Sequence, residues 1–256
     1  MAGTDRLALE RFLNELLDSA SFNDYGPNGL QIAGADRITR IAFAVSATAH
    51  SAAVAVDQKA QALVVHHGLF WQFHGVRTLT GPFARRVFPL VRHEINLFAY
   101  HLPLDAHPEI GNAAQLGSRI GLVDHQAFGD HQGRPTGISG FLPDPVTAPA
   151  LRDRLQAVLD HPVLLASPDE APLIRSVGII TGGANSGWTQ ALAAGLDAYI
   201  TGEMSEHDWH EAREAGICLF AGGHNATEQF GIQALMDRVR AAFPAECFFI
   251  ASDNPA

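Results

Sequence analysis

The sequence predicts an α/β protein of two similar lobes, with mostly parallel sheets flanked by helices, and three observations lead there. Short apolar runs rich in β-branched residues recur along the chain, and Ala-rich stretches with helical spacing lie between many of them. The pattern of runs in the first half is also written again in the second. Short buried strands alternating with helices favour parallel sheets, whose strands are covered on both faces and joined by long crossovers.

The runs are, in order, "RITRIAFAVSAT", "ALVVHHG", "INLFAYHLP", "GISGFLP", "HPVLLASP", "RSVGIITGG", "DAYITGE", "ICLFAGG" and "CFFIAS", each bounded by Gly, Pro or His or by a polar break. "INLFAYH" (95–101) is answered by "ICLFAGGH" (217–224), and "NAAQLG" (112–117) by "NATEQFG" (225–231). Upstream, "ITRIAFAVSAT", a helix and "ALVVHHG" are answered by "IRSVGIITGGAN", a helix and "DAYITGE". Internal repetition of this kind divides the chain into a first lobe, 1–125, and a second, 126–256. The second consists of an intervening segment, 126–175, and a repeat of the first-lobe pattern over 176–256. Only the first lobe carries the extra loop "LFWQFHGVRTLTGPF" (69–83).

At 256 residues, 47% hydrophobic and 17% charged, the chain can bury a sizeable core without staples. No apolar run approaches the roughly 20 residues of a membrane span, and the start "MAGTDRLALERFLNELL" lacks a basic stretch followed by an apolar one. A cytoplasmic protein is the expectation. The two cysteines, Cys218 and Cys247, sit in apolar strand-like runs, which argues against a disulfide framework or thiolate site. Any metal is then held by nitrogen and oxygen. A net charge of −10 disfavours nucleic acid as partner. One stretch runs the other way: Val76 to His93 holds Arg77, Arg85, Arg86 and Arg92 and no acid, readable as a solvated helix face or a phosphate-facing patch.

Polar chemistry gathers at the carboxyl ends of the predicted strands, where open parallel sheets collect ligands. His66 and His67 end "ALVVHH", His101 follows "NLFAY", and His224 follows "CLFAGG". Adjacent residues of a strand point to opposite faces, so His66 and His67 converge only where the strand is ending and Gly68 lets the chain turn. Asp105 follows His101 by four residues, with Pro103 between them expected to hold the segment extended. Glu228 follows His224 by four; Asn225 reads as an N-cap with Glu228 its capping-box partner, a role compatible with ligation. Two lobes that each present such an edge can face one another, with a metal site between them. Imidazoles with one or two carboxylates suit Zn, Fe, Mn, Co or Ni rather than Mg or Ca. "GPNGLQ" (26–31) reads as a turn in which Asn28-Gly29 supplies the left-handed conformation.

"VVHHG", "HLPLD", "ITGE" followed by "EHDWHEAREAG", and above all "GHNATE" resemble the GTP cyclohydrolase 1 type 2 family, also described as YbgI-like or NGG-one-interacting-factor-three-like proteins. The resemblance runs from "NDYGPNGLQI" to "FFIASDNP". It implies a two-lobed α/β fold, two divalent transition-metal ions per subunit between the lobes, and a ring-shaped homohexamer. Position by position it implies His66, His67, Asp105, His224 and Glu228 as metal ligands, with Glu228 bridging. Glu203 is then a candidate general base, and His101 and His207 are candidates to orient ligands from behind. The 126–175 segment looks like the family's short form, without the insertion domain of longer members. The function implied is a metal-dependent hydrolase acting on a nucleotide or another phosphorylated small molecule, the family's name pointing to GTP; no Walker-type phosphate loop singles out GTP in this chain. A non-enzymatic ring that stores or delivers metal, or serves as a scaffold, is the alternative, and a ring threading nucleic acid a third.

Overall fold

The computed structural model describes residues 3–169 and 173–256; residues 170–172, within the intervening segment 126–175, lie outside that description. The chain divides into two compact units, Met1–Leu104 with Ile232–Ser252, and Asp105–Gly231 with Asp253–Ala256.

In the first unit, β-branched and small apolar residues build a five-stranded sheet in the order Glu246–Phe249, Arg40–Ser46, Ala62–His67, Asn96–Ala99, Gly29–Ile32. The first four strands are mutually parallel, and Gly29–Ile32 closes the edge antiparallel. Helices Ala49–Asp57 and Gly81–Arg92 supply the crossovers. Their apolar stripes, Ala52 and Ala55 on one and Phe83, Val87 and Leu90 on the other, bury against Leu63, Val65 and Leu97. The register sets Ser46 beside His67 and Val65 beside Ala99, so the carboxyl ends of the three central strands share one edge.

The second unit repeats that core. Ile174–Ile179, Ala198–Thr201 and Cys218–Ala221 are parallel neighbours, with crossovers through Trp188–Ala193 and Glu206–Ala215. Strands outside the repeat flank this core: Gly137–Val146 and Leu164–Ala166, from the intervening segment, pair antiparallel on either side of the parallel trio, and Val123–Phe128, which begins before that segment, pairs outside Gly137–Val146. These outer strands carry more exposed residues, as expected of a sheet whose edge is wet on one face. Each unit therefore holds a parallel trio of strands joined by helices, although the chain is not shared out as lobes 1–125 and 126–256: 105–125 fold with the second unit and Ile232–Ser252 with the first. No helix among the described residues is long and apolar enough to cross a membrane. Cys218 and Cys247 are free thiols.

Asn96 shows how the strand that leads to His101 is anchored. It is fully buried. Its Oδ1 accepts from the Gly34 amide at 2.7 Å, and its Nδ2 donates to the Ala35 and Gln61 carbonyls at 2.8 and 3.0 Å. Asn96→Ala takes three hydrogen bonds from these partly buried backbone groups and is expected to lower unfolding stability by about 2 kcal/mol in urea titration; a loss below about 0.5 kcal/mol would show that water replaces the amide.

Candidate metal centre

In the first unit the central strands deliver three imidazoles to one spot. A ring nitrogen from each of His66, His67 and His101 lies within 4.8 Å of the other two, and the His66 and His67 ring centroids are 4.5 Å apart. The adjacent pair converges because the strand ends at His67. Gly68 is needed for space rather than for an unusual backbone angle: a Cβ there would come within 2.4 Å of the Gln31 side chain and 2.7 Å of the Ala99 side chain.

Each imidazole is held through Nδ1. His66 Nδ1 meets the Tyr100 carbonyl at 3.1 Å, His67 Nδ1 the Ser46 hydroxyl at 3.0 Å, and His101 Nδ1 the Asp24 carboxylate at 2.8 Å. A carbonyl and a carboxylate can only accept, so Nδ1 carries the proton in His66 and His101 and the lone pair falls on Nε2; the Ser46 hydroxyl can impose the same on His67. Nδ1–H bonds to carbonyls and carboxylates are the usual way proteins orient histidines toward a metal.

Asp24 is the residue the sequence reading missed. Its two oxygens accept from the Tyr25 and Leu102 amides, from Asn28 Nδ2 and from His101 Nδ1. Burial alone would raise its pKa, but the hydrogen bond and charge of His101, with the Asn28 and Leu102 bonds, bring it below the usual value. Asn28 Oδ1 in turn accepts from the His101 amide at 2.9 Å. The "NDYGPNG" turn thus positions a candidate ligand, and Gly29 alone, not Asn28, takes a positive φ. The signal available in the sequence was the density of Asn, Asp and Gly before the first strand.

In the second unit a carboxylate oxygen of Asp105 lies within 4.8 Å of one of Glu228. His224 Nε2 stands 3.3 Å from Glu228 Oε2. Glu203 Oε1 holds His224 Nδ1 at 2.6 Å, so Glu203 sits behind the imidazole. Burial pulls the His224 pKa down, but Glu228 and Glu203 together outweigh it and push it up to about 9. Asp105 is oriented by Asn112 Nδ2 at 2.8 Å, and Asn112 Oδ1 accepts from the Gly231 amide at 3.0 Å. Gly182, at φ +68°, leaves the room Glu228 occupies; a Cβ there would lie 2.2 Å from Glu228 Oε1.

Two local expectations are corrected. Leu102–Asp105 is a short helical turn, not an extended segment, because Pro103 falls in its first turn, where no N–H partner is required. Asn225 does not cap a helix. The turn begins at His224 with Gly223 before it, the Asn225 amide donates to the Ala256 carbonyl, and Glu228 follows the turn with its side chain toward His224. Thr227, which accepts from the Gly182 amide, does the local tying instead.

Of the residues expected at a site, His66, His67 and His101 cluster in one unit, and Asp105, His224, Glu228 and Glu203 in the other. His207 is exposed on helix Glu206–Ala215, its Nε2 3.7 Å from Asp208. These nitrogen-rich and carboxylate-rich donor sets, with the buried Glu228 among them, could hold a metal ion.

Fold and clusters describe an α/β protein with histidine and carboxylate groups that could hold a metal ion at strand ends, and solved structures match its fold closely. One titled protein ybgI, of unknown function, aligns with TM-score 0.92 at 38% identity, covering 99% of this chain and 100% of that one. TTHA1606 from Thermus thermophilus aligns with TM-score 0.88 at 30% identity, covering 99% and 100%. Among curated relatives, the GTP cyclohydrolase 1 type 2 homolog of Pasteurella multocida is 42% identical over 253 residues, 98% of this chain and 99% of its own length. The Duf34/NIF3 (NGG1p interacting factor 3) family profile matches residues 5–255, and the chain belongs to that family.

Asp24→Asn keeps the shape but removes two of the acceptor positions, and it should weaken zinc binding about 10- to 100-fold in chelator competition; unchanged affinity would place His101 outside the ligand set. His224 gives a pH prediction. Its folded pKa, about 9, lies above the unfolded value of 6.5, so its stabilisation is complete below pH 6.5 and is lost as pH rises through 9. The Tm of metal-free protein should fall across that window, and Glu228→Gln should flatten the slope.

Proposed function

We propose that His66 and His67, with His101 beside them, and Asp105, His224 and Glu228 hold two divalent transition-metal ions, and that the protein is a hydrolase acting on a nucleotide or another phosphorylated small molecule. The observation that carries this reading is the buried Glu228 carboxylate, set close to that of Asp105 and beside His224, an arrangement that a cation stabilises. The histidine cluster with its Nδ1 bonds supplies a matching set of nitrogen donors. The names of the curated relatives, GTP cyclohydrolase 1 type 2 homolog, support a purine nucleotide as the first substrate to try.

Bound there, divalent ions supply Lewis acidity that makes water a nucleophile near neutral pH. The chain's own part is orientation and proton handling. Tyr100 and Asp24 fix the tautomers of His66 and His101, Ser46 orients His67, Asn112 aims Asp105, and Glu203 holds His224 from behind. In this reading Glu203 positions His224; a Glu203 that also serves as general base would be seen in the pH profile. The ring-shaped homohexamer belongs to the same proposal.

The experiment is metal analysis with turnover. Purified protein should carry close to two metal ions per chain and hydrolyse GTP or a member of a nucleotide and phosphoester panel, with turnover lost on chelation. Glu228→Gln should lower metal content and cut turnover by about 100-fold or more. Glu203→Gln should leave the acid limb of the kcat/KM profile in place if Glu203 only positions His224, and remove it if Glu203 is the base. Two tightly held ions without turnover on any compound would replace the hydrolase by metal storage or delivery, and light scattering on the same material checks the hexamer.

A further inference from the structure

We propose that Trp71 and Phe73, on the loop present only in the first lobe, form a stacking platform for a planar heteroaromatic ring of the ligand. The proposal deepens the hydrolase reading by assigning this chain's own contacts to the ring of its substrate, and it rests on that reading only for what lies beside the ring.

Trp71 touches the histidine cluster directly. Its ring meets His101 edge to face, centroids 5.0 Å apart, and lies 5.9 Å from His67. Phe73 stacks on Trp71 at 5.6 Å with 20° between the planes. The column therefore leads from the candidate ligands outward to Phe73, which is 70% exposed although it is a large apolar ring on a polar protein. Tyr25, 44% exposed, stands 6.0 Å from His101 as a second aromatic neighbour.

The platform is fixed before any ligand arrives. Gln72, between the two rings, donates from its amide to the Tyr25 carbonyl at 2.7 Å and from its side chain to the Asp24 carbonyl at 3.2 Å. The Leu69 amide donates to Gln31 Oε1 at 2.8 Å. One short segment, Asp24–Tyr25, thus anchors both the histidine and the aromatic pair, so stacking costs little ordering. A cation stands further along the loop: the Arg77 guanidinium lies 3.2 Å from His74 Nδ1 and over the Phe83 ring. An aromatic column with a nearby arginine, in a stretch free of acids from Val76 to His93, is the chemistry that receives a base and its phosphate.

The test uses equilibrium dialysis of the zinc-loaded full chain with guanosine 5′-monophosphate and ribose 5-phosphate, alongside zinc titration and light scattering. Wild type should bind the nucleotide more tightly than the sugar phosphate. Phe73→Ala and Trp71→Ala should weaken nucleotide binding by about tenfold or more, Trp71→Phe by about threefold or less, and none should alter ribose 5-phosphate binding. Equal binding of the two probes, absence of binding at millimolar concentration, or alanine variants that hold the nucleotide like wild type would each overturn the platform; normal zinc uptake would then leave the metal centre standing. Wild-type protein that takes no zinc yet loses nucleotide binding in Phe73→Ala would sink the metal centre and keep the platform. Phe73→Ala with altered mass and unchanged nucleotide binding would assign the ring to contact with a second copy and overturn the proposal.

Discussion

The site depends on hydrogen bonds made by the nitrogens that face away from it. An imidazole free to choose its tautomer and its rotation is a poor ligand, since each wrong state must be reversed before a lone pair points anywhere useful. Here the Tyr100 carbonyl and the Asp24 carboxylate settle that choice for His66 and His101, and the Ser46 hydroxyl, able to donate or accept, fixes the ring orientation of His67. Two of the three partners come from the same sheet edge that carries the histidines. The parallel register does this without extra residues: Ser46 is the cross-strand neighbour of His67, and Tyr100 follows the strand paired with Ala62–His67.

The second unit uses the same strand order with different chemistry. Its central strand ends in Thr201, not a histidine pair, and its orienting group is Glu203, placed on His224. The duplicated scaffold thus yields an imidazole cluster once and an acid-rich cluster once. An imidazole-only set gives neutral donors; carboxylates bring negative charge that a cation offsets. The Glu228 and Glu203 carboxylates push the His224 pKa up for the same reason: a positive charge on the ring is favoured beside them.

Strands were the most legible part of the sequence. Each apolar run quoted from it contains a strand, because a buried strand needs consecutive β-branched or small apolar residues and little else does. The pairing partners were less legible. Glu246–Phe249 follows the second repeat in sequence but joins the first sheet beside Arg40–Ser46, a choice made by tertiary packing. Short turns failed in both halves for a common reason: Pro103 and Asn225 carry strong local preferences, and a helical turn of four residues satisfies them at positions that pattern reading assigns otherwise. Candidate ligands stood out because histidine is rare at a strand end. Asp24, Asn112 and Gly182 did not, since each acts through a partner distant in the chain: His101, Gly231 and Glu228 respectively.

The extra loop of the first lobe answers a question the duplication leaves open. Within "LFWQFHGV" Leu69 is buried and Phe70 packs against Phe83, but Phe73 and Val76 stand exposed in the one copy that carries the loop. Packing among the described residues covers little of Phe73 and Val76, whose relative exposures are 70% and 104%. The sheet does not need them, its core being complete in Leu63, Val65, Leu97, Val87 and Leu90. The loop's anchoring through Gln72 to the segment that holds His101 places these exposed side chains beside the histidines rather than on a remote face, which is the geometry the stacking proposal uses.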